Sequence, residues 1–377
     1  MLDLHVEYAY MKPDIDAAIQ RCLAHQKWIL GPEVGELESK LVEYLGVQHA
    51  VGTSSGTEAL VLSLRALSIK MKGQDYFDKA DEIITTPFTF TATGDAILRS
   101  GATPVFVDVD PKTYNIDVSR IRSYLKENSS KAVGIIPVHL YGQSCNMDDI
   151  LEIAREYNLF VVEDAAQAFG GMWKGKKLGS IGTLGAFSFF PSKNLGGFGD
   201  AGMVSTDDSE VASIVRMLLK HGGKDKYNVD YIGYNARMDT LQAAVIGAKF
   251  RFIDEFNARR RQVAELYTEG LKDFKGIKLL EILAAAYHVY NQYPIGVIEG
   301  GRDELQKYLK SKGVSSMVYY PFPLHRMKVF ESGRSKAYKE LLHAEQAAQS
   351  VLNLPIGPLQ TRENTDYVIE AIKGYFN

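Results

Sequence analysis

Residues 132–164 read AVGIIPVHLYGQSCNMDDILEIAREYNLFVVED, and this stretch decides the fold class. Its first segment, 132–138 (AVGIIPV), is short and apolar, and so is 159–163 (LFVVE). Between them, over 147–157, Ile150, Leu151, Ile153 and Ala154 recur at helical spacing. A strand–helix–strand unit with continuously apolar strands belongs in a parallel sheet covered on both faces. Working outward, 103–109 (TPVFVDV) reads as a further strand, 82–85 as another apolar stretch, and strands near 186–190 and 202–205 continue the sheet. The expected fold class is therefore α/β, a mostly parallel central sheet flanked by helices.

The texture changes after residue 240. Residues 239–269 read as one or two long helices, followed by short strands (293–297, 314–317) and helices (302–312, 337–350). The chain thus divides into a large α/β domain, 1–250, and a smaller C-terminal α+β domain, 251–377. Near the N-terminus, 14–25 reads as a helix with Asp14 as its N-cap. The segment 70–80 (KMKGQDYFDKA) is polar and reads as a surface loop.

Composition excludes several classes of function. The 377 residues carry 43 Lys+Arg against 46 Asp+Glu, a net charge of −3. That balance gives no general drive toward nucleic acid or an anionic membrane. With 46% hydrophobic and 24% charged residues the chain is ordinary globular protein, not disordered. Cys22 and Cys145 form no disulfide framework and lie in no CxxC, so no metal site is expected. The first residues do not read as a secretory signal, lacking a basic region and an uninterrupted apolar stretch, and no run of 18 apolar residues occurs. A soluble, cytoplasmic protein is expected, without nucleic-acid or membrane partners.

In open parallel sheets ligands bind beyond the carboxyl ends of the strands, so polar groups there are the place to look. Four such places stand out. Residues 52–57 (GTSSGT) open a helix, and read either as a plain N-cap or as a cradle of free N–H groups for a phosphate. Glu163-Asp164, at the end of a strand, are a solvated terminus, a charge partner for a cofactor, or a metal site, for which His139 alone supplies too few further ligands. In 187–202 (FSFFPSKNLGGFGDAG), Lys193 follows apolar residues and precedes a cluster of glycines. It is either a surface lysine or an amine made nucleophilic by desolvation. Arg237, in 234–239 (YNARMD), is either an exposed loop residue or an anion clamp. Together, a phosphate cradle, a strand-end carboxylate and a desolvated lysine match the needs of pyridoxal phosphate: a phosphate, a ring nitrogen and an aldehyde. Phe88 or Phe90 offers a ring to stack on it, or serves as core packing.

The motifs GTSSGTEAL, PVHLYGQ, EDAAQAFGG, SFFPSKNLGGFGDAGM, NARMDTLQAA and YYPFPLH, in this order from 28–33 (WILGPE) to 353–355 (NLP), resemble those of the DegT-type nucleotide-sugar aminotransferases. These belong to fold type I of the pyridoxal phosphate enzymes. The resemblance implies a seven-stranded-type central sheet. It implies that Lys193 holds the cofactor covalently and that Asp164 pairs with its ring nitrogen. It puts Gln167 beside the ring hydroxyl, Phe90 on the ring face, and Ser55, Gly56, Thr57 and Ser188 at the phosphate. It implies a homodimer in which Asn235 reaches the phosphate, and Arg237 the substrate, of the neighbouring subunit. Tyr320 and His325 fall in a stretch that borders the substrate in the family.

The function so implied is transfer of an amino group from L-glutamate to a nucleotide-linked ketosugar, for surface polysaccharide or lipid A biosynthesis. The segments around Lys193 and Asn235 look closest to members that aminate C3 of a UDP-2-acetamido-3-keto sugar. The alternatives are C4 amination of a UDP-, GDP- or dTDP-4-keto-6-deoxy sugar, and a non-catalytic, cofactor-binding regulatory protein. A subgroup that deoxygenates its sugar carries histidine in place of the lysine; this chain keeps Lys193.

Overall fold

The structure, a computed structural model, describes residues 3–225, 227–331 and 333–376. Two helices, α1 (Leu4–His25) and α2 (Pro32–Leu45), precede the first strand, β1 (His49–Thr53). Alternation then follows as the apolar runs require: α3 (Gly56–Lys72), β2 (Glu82–Thr85), α4 (Thr91–Arg99), β3 (Thr103–Phe106), α5 (Val118–Asn128), β4 (Ala132–Ile136), α6 (Met147–Glu156) and β5 (Phe160–Asp164). A small hairpin, β6 (Met172–Trp173) and β7 (Lys176–Lys177), separates β5 from β8 (Leu184–Ser188), β9 (Gly202–Thr206) and α7 (Ser209–Leu218).

The large sheet has the order β1-β9-β8-β5-β4-β2-β3, with one more strand, β13 (Lys336–Ala337), at its edge. β9 runs antiparallel to both neighbours, whereas β8, β5, β4, β2, β3 and β13 are parallel to one another. The seven-stranded sheet implied by the resemblance is present, and the two-residue β13 extends it to eight. Every residue of β2, β3, β5 and β9 is buried. Both faces must therefore be covered, which explains why these strands show no polar alternation.

α3 is the central covering helix. Every side chain from Ala59 to Ile69 is buried, including Arg65. A helix apolar nearly all round needs neighbours on its outer side as well, and α4 and α7 pack there. Leu62 and Leu64 are fully enclosed, so truncating either to alanine costs about 2–5 kcal/mol.

The chain continues through α8 (Thr240–Phe250) and α9 (Ile253–Leu271) to a second, antiparallel sheet of β10 (Ile277–Leu279), β12 (Tyr293–Val297) and β14 (Val351–Leu354). This sheet has its own apolar core with α9, α10 (Arg302–Ser311) and α12 (Arg362–Phe376). α11 (Leu342–Ser350) runs directly into β14, and β11 (Ala286–Tyr287) joins the β6–β7 hairpin.

Four local expectations are corrected. The first helix starts at Leu4, not Asp14, because Asp3 accepts from the N–H groups of His5 and Val6 at 3.0 and 3.2 Å. Pro13 lies inside it, and the buried face of Met11, Ile15, Ala18 and Cys22 carries the helix past that break. Residues 314–317 are not a strand: Met317 alone bridges Asn353. The last helix expected at 337–350 begins at Leu342. Ala337 is in β13, Tyr338 packs on Tyr124 at 5.2 Å, and Lys339 has φ of 59°, which an α-helix cannot accommodate. Finally, 70–80 is not simply a polar surface loop. α3 runs to Lys72 and ends at Gly73 (φ 65°), and Phe77 is buried against Phe160.

Candidate active site

The carboxyl ends of β1, β5 and β8 bring most of the expected site residues together. Asp164 is the last residue of β5. Its Oδ2 accepts from the Thr93 hydroxyl at 2.8 Å, and its Oδ1 accepts from the Ala166 N–H at 3.2 Å. Burial pushes its pKa up, opposed by these two hydrogen bonds and by the charges of Lys193 and His139. A buried carboxylate in this state gains from a cation placed against it.

Lys193 lies in the turn after β8, where its N–H donates to Phe190 O at 2.8 Å. Desolvation lowers its pKa to about 8, and the nearby Asp164 charge limits the fall. At neutral pH a fraction of about one in ten is therefore the free amine, where an ordinary lysine has almost none. Lys193 is half-buried, which sets it apart from a fully exposed surface lysine.

Glu163, next to Asp164, faces the other way because side chains alternate along a strand. Its Oε2 accepts from His139 Nε2 (2.9 Å) and Gly179 N–H (2.9 Å), and its Oε1 from the N–H groups of Ile181 and Gly182 (2.7 Å each). Both Glu163 and His139 are fully buried. Because His139 Nδ1 accepts from Cys145 N–H, its Nε2 carries the proton given to Glu163. Glu163 thus anchors the chain ahead of β8, and only Asp164 is left for chemistry.

Gln167 is clamped by its own amide. Its Oε1 accepts from Tyr141 N–H at 2.6 Å and its Nε2 donates to Tyr320 Oη at 2.8 Å. Burial raises the Tyr320 pKa, and the Asp164 charge adds to the rise. Phe90 is 56% exposed, with its ring 6.2 Å from that of Tyr320, so it keeps a free face. Phe88 is fully buried and packs on Tyr114, which assigns it to the core.

The expected phosphate cradle is the N-terminus of α3. Ser55 is its N-cap and accepts from Glu58 N–H at 3.1 Å. Gly56 is required by close approach: a Cβ there would stand 2.6 Å from Ser188 Cβ. Ser55, Gly56, Thr57 and Ser188 are thus gathered where the helix N-terminus favours an anion. The residues fit pyridoxal phosphate on three counts: an amine poised near neutrality, a buried carboxylate in want of a cation, and an anion site at the start of a long helix.

Asn235 is exposed, and its backbone bridges Lys220. The backbone of Arg237 bridges Thr53, just before the cradle, and its buried Nε has no hydrogen-bond partner among the described residues. His325 is held differently from Tyr320: its Nε2 pairs with Glu345 at 3.0 Å, and its Nδ1 is buried without a partner. Thr93, Tyr141 and the anchor role of Glu163 were missed in the sequence.

One cluster outside this region has the composition of a metal site. Ligand atoms of Cys22, His25 and Glu33 lie within 4.8 Å of one another. His25 Nδ1 accepts from Lys27 N–H and Nε2 faces Glu33 at 3.0 Å. That tautomer points a proton at Glu33, not a lone pair at an ion. No helix among the described residues is long and apolar enough to cross a membrane.

Known proteins carry the same arrangement. Residues 9–373 match the DegT/DnrJ/EryC1/StrS aminotransferase family. A pleiotropic regulatory protein of Geobacillus stearothermophilus is 41% identical, covering 100% of this chain and 98% of its own. The UDP-N-acetyl-3-dehydro-alpha-D-glucosamine 3-aminotransferase of Acidithiobacillus ferrooxidans is 39% identical over 99% of this chain and 96% of its own. The dTDP-3-amino-3,4,6-trideoxy-alpha-D-glucose transaminase of Streptomyces venezuelae is 36% identical over 99% and 94%. Among solved structures, ntda from Bacillus subtilis with bound cofactor PMP superposes with a TM-score of 0.86 at 32% identity, over 97% of this chain and 82% of that one. From its strand-end lysine and aspartate to its whole-length relatives, the chain belongs to the DegT/DnrJ/EryC1/StrS aminotransferase family and is a pyridoxal phosphate-dependent aminotransferase.

Proposed function

We propose that this enzyme moves an amino group from L-glutamate to C3 of a UDP-linked 2-acetamido-3-keto sugar. A sugar-nucleotide substrate follows from its relatives. The choice of C3 and UDP is supported by the Acidithiobacillus relative and by a UDP-2-acetamido-2-deoxy-3-oxo-D-glucuronate aminotransferase of Pseudomonas aeruginosa at 38% identity. The observation that carries the catalytic reading is Lys193, with its pKa lowered to about 8 beside the buried Asp164.

When bound, pyridoxal phosphate supplies an aldehyde that exchanges amines and a ring that takes up electrons. The protein does the rest. Lys193 holds the aldehyde carbon between turnovers. Its free Nζ, a base near neutral pH, would move the proton between the substrate α-carbon and the cofactor carbon. Asp164 keeps the ring nitrogen protonated, and Thr93 and the Ala166 N–H orient the Asp164 carboxylate for that contact. Gln167, fixed by Tyr141 and Tyr320, serves the ring hydroxyl. Ser55, Gly56, Thr57 and Ser188 hold the phosphate, and Phe90 covers the ring. Asn235 and Arg237 serve the site of a second copy in a homodimer: Asn235 is exposed, and the Arg237 Nε has no partner among the described residues. Tyr320 and His325 border the sugar. The same groups would serve the ketosugar half of the transfer in reverse.

The test is a panel of UDP-, GDP- and dTDP-linked 3- and 4-ketosugars with L-glutamate, with NMR to locate the new amine. A C3 amine on the UDP-linked 3-ketosugar is the expected product. Amination of 4-ketosugars alone would overturn the choice of C3. Absence of 2-oxoglutarate with every acceptor would overturn the reading as a sugar aminotransferase.

A further inference from the structure

Arg65 sits midway along α3, the helix whose N-terminus forms the phosphate cradle, and it is fully buried. A guanidinium withdrawn from water must have its donors satisfied, and two separate segments do so. From the segment 70–80, Asp75 accepts twice: its O from Arg65 Nε, and its Oδ1 from Nη2 at 3.3 Å. The Tyr76 ring lies 3.7 Å from Arg65 Cζ. From the segment that carries Asn235 and Arg237, Ile232 O accepts from Nη2 at 3.0 Å and Tyr234 Oη accepts from Nη1 at 2.6 Å. Arg99 stands 5.8 Å from the Tyr234 ring and is itself tied to Glu58, in the first turn of α3, at 2.7 Å.

An apolar side chain would fill this space without fixing anything. The planar guanidinium instead holds its acceptors at set angles, and locks the 231–237 segment to α3 one residue before Asn235 and three before Arg237. Backbone bonds complete the lock: Tyr234 N–H donates to Leu218 O at 2.7 Å and Ser54 N–H to Ala236 O at 2.8 Å. We infer that Arg65, clamped by Asp75 and Tyr234, is a positioning residue that presents Asn235 and Arg237 to the active site of the neighbouring subunit. The inference rests on the reading above that these two residues act across the dimer. It also gives the segment 70–80 a role, as the outer half of the clamp.

Arg65→Met can fail to fold, so the working variants are Tyr234→Phe and Asp75→Ala, each removing one side-chain acceptor of Arg65 and leaving the site itself intact. The first readout is amide hydrogen exchange of the loaded and cofactor-free protein. Residues 231–237 should exchange about tenfold faster in both variants, with α9 and α12 unchanged. The second is the dissociation constant for pyridoxal phosphate, read by visible absorbance, which should rise about tenfold. Wild-type exchange over 231–237, or acceleration spread evenly through the protein, would overturn the inference.

A hybrid dimer of Lys193→Ala and Tyr234→Phe subunits separates this from the reading it rests on. Its only lysine-linked cofactor sits in the Tyr234→Phe subunit, facing an intact 231–237 segment from the other chain. Wild-type affinity at that site is the expected result. A hybrid that stays weak, with fast exchange confined to 231–237, would overturn action across the dimer and leave the Arg65 clamp supported within its own chain.

Discussion

Raising the pH over cofactor-free protein should speed capture of pyridoxal phosphate by Lys193 in a specific way. The reacting species is the neutral amine. With a pKa of about 8, its fraction is about 9% at pH 7 and about 91% at pH 9, a roughly tenfold gain that levels off above pH 9. An ordinary lysine, at 10.5, gains about a hundredfold over the same interval and does not level off, and it is about 300-fold less reactive at pH 7 on this count. Stopped-flow absorbance measures the rate, with Nα-acetyl-lysine run in parallel to remove the cofactor's own titration. Asp164→Asn provides the internal check. The Asp164 charge raises the Lys193 pKa, so its loss should move the midpoint below 8. A midpoint near 10.5, or no movement in the Asp164→Asn protein, would refute the argument that burial and Asp164 set this amine. The stability sign follows from the same shift. The folded protein binds this proton more weakly than the unfolded chain, so Lys193 costs stability below pH 8, and that cost is relieved as pH rises from 8 to 10.5.

Three further outcomes are expected. Asp164→Asn should shrink the gain in Tm on adding cofactor, because the buried anion that the ring nitrogen pairs with is gone; an unchanged gain in differential scanning fluorimetry counts against that pairing. Glu163→Gln should lose about 3 kcal/mol of stability in urea unfolding, since a carboxylate with four N–H donors becomes an amide with one acceptor oxygen. A loss under 1 kcal/mol would show that the anchor is not needed. Gly56→Ala places a methyl 2.6 Å from Ser188 Cβ and should weaken cofactor binding by about fivefold to 150-fold in equilibrium dialysis, from about 1–3 kcal/mol of overpacking. Unaltered binding would show that the cradle can open without cost.

The sheet was legible because its strands are buried on both faces, so their apolar runs needed no knowledge of partners. The direction of β9 was not, because an antiparallel strand buried on both sides has the same composition as a parallel one. The edge strand β13 and the position of Phe77 depend on contacts far away in sequence, and local polarity pointed elsewhere. In the site, Lys193, Asp164 and the 52–57 loop could be read because strand ends are where chemistry collects. Thr93 and Tyr141 could not be read as precisely: a threonine or a backbone N–H becomes informative only when its acceptor is known. The pairing of His25 with Glu33 was equally invisible, since it joins two helices.

The adjacent acids that end β5 make this strand intolerant of slippage. Because facing alternates residue by residue, a shift of one position would put the anchor's carboxylate where the ring nitrogen is met, and leave the four N–H groups aimed at the wrong side chain. Drift cannot be gradual here. A one-residue insertion or deletion in β5 would damage assembly and turnover at one stroke, so length changes in this protein should be found in its outer loops while 160–164 keeps a fixed count.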